Sequence, residues 1–182
     1  MPTRRSPATS PRRLAASLLA AWLGVSLLGA CASAYLGSAR ATSAHVLDGD
    51  GWLAVRDVPF EAQAHESDCG AAAAAMIVAY WTGTATAALA AELRPAPARG
   101  LRAASLRDFV QAHGLASFLV HGELSDLAHE LASGRPVLVG LAKRERQGAV
   151  THYEIVVGLH EATQRVVTLD PARGWQKLRQ RF

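Results

Sequence analysis

Cysteine is scarce in this chain of 182 residues: Cys31 and Cys69 are the whole supply, and neither belongs to a Cys-x-x-Cys pair. No His-Glu-x-x-His occurs either, so the two usual zinc-binding patterns are excluded. Excess charge is also missing once the chain is divided. The formal net charge is +4 with a pI near 9.6, but four of the nineteen Lys and Arg lie in the first thirty residues. Fifteen basic residues then face fifteen acidic ones. No basic patch carries interleaved aromatics, which excludes a nucleic-acid surface. The cluster Arg173, Lys177, Arg179, Arg181 reads as a solvated C-terminal tail. A calcium loop fails as well: if Asp48-Gly49-Asp50-Gly51 opened one, the bidentate carboxylate of its twelfth position would fall on Pro59. There is no internal repeat.

What is there begins with a signal. Residues 1–30 contain Arg4, Arg5, Arg12 and Arg13, no acid, and an apolar run from Leu14. That run ends in Leu28-Gly29-Ala30-Cys31, which resembles a bacterial lipobox. The resemblance implies cleavage before Cys31, lipidation of its thiol, and a protein anchored to a membrane of the cell envelope, facing the periplasm or exterior. An uncleaved transmembrane helix is the other reading, but the run is at the short end of the ~17–25 residues that span a bilayer. Residues 31–51, rich in Ala, Ser and Gly, read as a lipidated N-terminus and tether, and residues 52–182 as one domain with a sizeable core.

Cys69 then has no disulfide partner within the mature chain, and it stands where a polar loop becomes a helix. Ser67 or Asp68 can cap that helix, and the alanines from Ala71, followed by Met76, Ile77, Ala79 and Tyr80, propagate it. A thiol in a first helical turn meets unpaired N–H groups and the positive end of the helix dipole, which favour the nucleophilic thiolate. Six residues upstream, Gln63 can fold back so that its amide and the Cys69 N–H face one spot as an oxyanion hole. This stretch alone leaves open an inert, buried cysteine.

The pattern Gln63, Asp68-Cys69-Gly70-Ala71-Ala72 and a helix ending in Tyr80-Trp81 resembles the bacteriocin-processing (double-glycine leader) cysteine peptidases, which are papain-like. Their second signature, a His-Tyr opening an apolar strand and a later strand ending in Asp-Pro, is matched by His152-Tyr153-Glu154-Ile155-Val156-Val157-Gly158 and Leu169-Asp170-Pro171. The resemblance covers residues 52–174. It implies a papain-like α+β fold, peptide-bond hydrolysis after small residues, and a peptide or protein substrate. It calls for no cofactor or metal. No ABC transporter is attached, which sets this chain apart from the well-known members.

The hairpin can be drawn from the residues themselves. His152 to Leu159 and Val166 to Asp170 read as strands, and a turn centred near Ala162 sets Asp170 opposite Glu154 and on the face of His152. Asp170 can then orient the imidazole toward Cys69. Other expectations are a strand over Trp52–Val58, a short helix over Ala87–Leu93, a helix over Leu106–His113 capped by Ser105, a strand over Ala116–Val120, a helix capped by Ser125 and running to about Ala132, a buried strand over Val137–Leu141, and a charged loop over Lys143–Gly148. His65 can line the cleft, and His160 is the second choice of base. His113, His121 and His129 read as surface or satisfied residues. The same triad could serve a peptidoglycan amidase or acyltransferase, and a silent peptide-binding lipoprotein is the non-enzymatic reading.

Overall fold

The computed structural model describes residues 39–94, 100–145 and 148–179. The signal segment and Cys31 lie outside them. Among the described residues no helix is long and apolar enough to cross a membrane.

The order of elements is β1 (Arg40–Ala41), β2 (Leu53–Ala54), α1 (Cys69–Thr82), α2 (Thr86–Glu92), α3 (Ala103–Ala112), α4 (Leu124–Ala132), β3 (Val137–Glu145), β4 (Gly148–His160), β5 (Arg165–Asp170) and β6 (Gly174–Arg179). All six strands form one antiparallel sheet in the order β1-β6-β5-β4-β2, with β3 also paired to β4. The helices precede the main hairpins; α1 and α4 pack on that sheet, and α2 and α3 pack on α1. The fold is α+β and papain-like, with the Cys69 helix against an antiparallel sheet.

α1 is the central element because it is small. Residues Ala71 to Met76 are essentially inaccessible to solvent. A helix apolar on every side must be surrounded, and alanine side chains let neighbours approach its backbone closely. Gly83, left-handed at φ 71°, ends it and donates its N–H to the Ala79 carbonyl. At the other end, a Cβ on Gly70 would lie 3.2 Å from the Tyr153 ring and 3.3 Å from Leu106, so glycine permits the first turn to rest on β4. β4 and β5 supply the other half of the core through Ile155, Val157, Leu159, Val167 and Leu169, all fully buried.

Several expectations change. The strand expected over Trp52–Val58 shrinks to Leu53–Ala54, opposite Leu159 and Gly158 of β4, with one further backbone bond from the Val55 N–H to the Val157 carbonyl at 2.8 Å. Part of the expected tether belongs to the fold: β1 pairs with β6, and the turn Ala44–Asp48 buries Leu47. α3 starts at Ala103, before Ser105, because the alanines extend it; α4 is capped by Glu123, whose reciprocal capping box with Asp126 displaces Ser125 from that role. Ala116–Val120 is no strand. It pairs with no neighbour, Ser117 is tied to α3 through Gln111 and the Arg107 carbonyl, and Phe118 is 84% exposed. Lys143–Gly148 is the end of the β3–β4 hairpin, whose ladder runs to Glu145↔Gly148; residues 146–147 lie outside the described ones. Of the expected C-terminal tail, Lys177 and Arg179 lie on β6, a full partner of β5, Arg173 stands in the turn before it, and Arg181 lies outside the described residues.

Candidate active site

Local structure brings Cys69, His152 and Asp170 together. A short 3-10 turn over Glu66–Asp68 runs directly into α1, so Cys69 occupies the first position of the helix. Asp68 is the N-cap residue by backbone position, yet its side chain caps nothing. That carboxylate is 1% exposed and pairs at 3.6 Å with Arg94, which also reaches Glu61 at 3.2 Å. Glu61 in turn accepts from Thr86 at 2.8 Å. The loop before Cys69 is thus fastened to α2 and its C-terminal end by charge.

The hairpin fixes the other side. β4 and β5 pair Ile155 with Leu169, so the next pair is Glu154 with Asp170, and a register shift between Val156 and Gly158 is absorbed nearer the turn. His152, two residues along β4, shares the face of Glu154 and Asp170. His152 Nε2 lies 2.7 Å from Asp170 Oδ1. A carboxylate only accepts, so Nε2 carries the proton and Nδ1 is left for the thiol. The same Asp170 oxygen accepts the Ala172 N–H at 2.8 Å, which holds the carboxylate in place.

Electrostatics at the sulfur follow. Burial pushes the Cys69 thiol up, but hydrogen bonds from the His152 side chain and from the Tyr153 and Gly70 backbone, together with the His152 charge, bring it below the ordinary thiol value. The Tyr153 phenol is raised by burial and by the negative charge on Cys69. These are the surroundings of a reactive thiol. The arrangement can form a thiolate–imidazolium pair with a buried carboxylate behind it.

The matched family is described as the Peptidase C39 family, and the match spans residues 57–181. The chain belongs to that family. Its members are cysteine peptidases of papain-like fold, in keeping with the bacteriocin-processing type, and membership supports a cysteine peptidase here. No curated protein matches the chain.

The remaining candidates fall elsewhere. Gln63 is held by its own N–H, which donates to the Pro171 carbonyl at 3.0 Å, so the loop is tied next to Asp170. Its side chain is turned to the loop: Nε2 donates to the His65 carbonyl at 3.0 Å, and Oε1 is buried without a hydrogen-bond partner. His65 is exposed and lines an open depression with Gln63, Ala64, Glu66 and Ser67. His160 packs edge-on against Trp52, away from this constellation in the β2 corner of the sheet. His113 bonds to the Phe109 carbonyl and faces Glu92.

Glu154 is the residue to which sequence reading gave no role. It is 1% exposed, accepts from Thr168 at 2.7 Å, and has Oε1 3.9 Å from His152 Nε2. A charged residue inside the apolar run His152–Gly158, two positions from the histidine, was the available signal. Donor atoms of His152, Glu154 and Asp170 all lie within 4.8 Å, a spacing that could hold a cation. The 2.7 Å contact between Nε2 and Asp170 is instead that of a proton shared in a hydrogen bond.

Proposed function

We propose that this Peptidase C39 member hydrolyses peptide bonds through Cys69, His152 and Asp170, with Gln63 at the oxyanion. The observation that supports this most directly is the 2.7 Å bond from His152 to Asp170 behind a thiol that His152 itself hydrogen-bonds. The Cys69 thiolate adds to the amide carbonyl carbon, and the carbonyl oxygen takes the negative charge. Collapse of that adduct breaks the C–N bond as His152 passes its Nδ1 proton to the departing amine. Water then adds to the thioester, giving its proton to His152, and the acid leaves as the thiol is restored.

Stabilising the oxyanion requires donors aimed where the charge develops. The Cys69 N–H is one donor. For Gln63 to be the other, its amide leaves the His65 carbonyl and swings toward the sulfur, a side-chain rotation within a loop whose backbone is held by Pro171. The proposed substrate is a peptide or protein cut after small residues.

The proposed location is the cell envelope, with a lipid on Cys31. The lipobox-like Leu28-Gly29-Ala30-Cys31 supports it. Cys31→Ser should release the protein from membranes or block its processing, and unchanged membrane partition would refute lipidation at that site. The peptidase reading is tested by comparing the envelope proteome with active protein and with Cys69→Ala. Accumulation of uncut proteins in the variant supports it, whereas altered cell-wall peptides with no uncut protein point to an amidase.

A further inference from the structure

We infer that Glu154 is a second acidic positioning residue for His152, one that holds the imidazolium charge from behind while Asp170 holds the proton. The inference rests on the peptidase reading above and deepens it. Two carboxylates converge on one ring nitrogen: Asp170 Oδ1 at 2.7 Å from Nε2 and Glu154 Oε1 at 3.9 Å. The nearer one makes the hydrogen bond. The farther one is beyond hydrogen-bond distance, so it acts through charge rather than by orienting the ring.

Glu154 is placed for that. Its other oxygen, Oε2, accepts the Thr168 hydroxyl at 2.7 Å, and both residues are 1% exposed, so the carboxylate has a fixed donor and almost no water. A buried, anchored charge is screened less than a surface one. The register explains the convergence: on β4, His152 and Glu154 are two residues apart and share a face, while Thr168 and Asp170 present the matching face of β5. A glutamate buried beside the apolar run Ile155-Val156-Val157 costs stability, which a charge beside the base would offset in function.

Other groups around His152 set the balance. Cys69 on α1 supplies the thiolate that the imidazolium pairs with, and Tyr153, next on β4, has a phenol held neutral by a raised pKa. On β3 the residue opposite His152 is Leu141, which does not titrate. In the turn after β5, Arg173 donates its backbone N–H to the Asp170 carbonyl. A carboxylate near an imidazole favours the charged ring, so Glu154 raises the pH at which His152 loses its second proton. The ion pair then persists to more alkaline pH.

The test is an NMR titration of the His152 ring, assigned by its loss in His152→Ala and carried out in the Cys69→Ala protein with and without Glu154→Gln. Glutamine keeps the size of the side chain and an oxygen for Thr168. Its expected effect is to lower the His152 pKa by about one unit, within the usual reach of a nearby charge. In the active protein, the alkaline limb of kcat/KM should move acidward by the same amount with KM unchanged. Thr168→Val, which removes the donor that anchors the Glu154 carboxylate beside the ring and lets it draw away, should move His152 in the same direction by less, and it decides the matter if Glu154→Gln does not fold. A shift below about 0.2 unit in the folded variant would overturn the inference. Failure of the peptidase reading would look different: no turnover that Cys69→Ala removes, with the ring titration still measurable, since it needs no substrate.

Discussion

The two sides of the proposed site are built differently. His152 and Asp170 stand on a paired hairpin, the first partly and the second wholly buried, mutually hydrogen-bonded, with their carriers locked in register by a ladder of backbone bonds. Gln63 stands on an irregular loop whose side chains at His65 and Glu66 are exposed, held by one backbone bond to Pro171 and by the Glu61–Arg94–Asp68 charges. The lesson is that the base is preorganised whereas the oxyanion side is adjustable. The group that must keep one geometry through both halves of the reaction lies in the core; the group that need act only on a bound carbonyl lies where it can move.

That contrast orders the expected effects. The largest belong to the hairpin side and the nucleophile: Cys69→Ala and His152→Ala should reduce peptidase activity to background, because no thiolate forms or no proton partner remains. Asp170→Ala should lower kcat by about 10²-fold, as the ring loses the acceptor that fixes its tautomer, while Asp170→Asn should lose less because an amide oxygen can still accept. His160→Ala should stay active. Were His160→Ala inactive and His152→Ala active in the same assay, the assignment of the base would fall, together with the comparison drawn from it.

On the loop side the expected loss is smaller and differently distributed. Gln63→Ala should cost about 10-fold to 10²-fold, mostly in kcat, since an oxyanion donor acts after the carbonyl has begun to change and the Cys69 N–H remains. An effect confined to KM would mean that Gln63 binds substrate instead. Arg94→Met removes the cation between two carboxylates, one of them the buried Asp68. It should destabilise the fold by about 3 kcal/mol, the usual outcome of leaving a buried charge alone, measured by urea unfolding.

Thiolate formation is a milder readout of the same contrast. With the Cys69 thiol brought below its ordinary value chiefly by His152 acting against burial, alkylation by iodoacetamide should already be fast at pH 6–7, where a free thiol of pKa ~8.5 is almost wholly protonated. His152→Ala leaves burial unopposed by the imidazole. The reaction should then require more alkaline pH than in the wild-type protein. Equal pH profiles for the two proteins would show that the helix terminus alone sets the thiol's reactivity.

How much of this was legible in the sequence depended on whether the signal was local. The helix at Cys69 was readable because a polar entry, alanine propensity and the apolar continuation through Met76, Ile77, Ala79 and Tyr80 agree, and the β4–β5 pairing was readable because a short turn leaves little freedom of register. Glu154 was visible as the residue opposite Asp170, but its burial depends on tertiary packing and its bond on Thr168 of the neighbouring strand. Gln63's side-chain orientation was not legible, since competition from the His65 carbonyl is a matter of loop geometry. β6 was missed because Arg173, Lys177 and Arg179 look like a solvated tail, whereas edge pairing with β5 needs only backbone groups.

The clearest misreading also yields the smallest expected effect. Ala116–Val120 has the composition of a strand, but β-propensity expresses packing on a pleated surface, and among the described residues no strand lies alongside to supply one. Phe118, Leu119 and Val120 are left 84%, 58% and 73% exposed. Apolar residues already in water have no transfer free energy to lose. Phe118→Ser should therefore change unfolding stability by no more than about 0.5 kcal/mol, whereas Met76→Ala, at a fully buried position of α1, should cost about 2–5 kcal/mol. Peptidase activity should not change in Phe118→Ser, because the segment touches neither the hairpin nor the loop through any hydrogen bond to them. If Phe118→Ser destabilised the protein as much as Met76→Ala, the segment would have to be covered in solution, and its place in the fold would need to be redrawn.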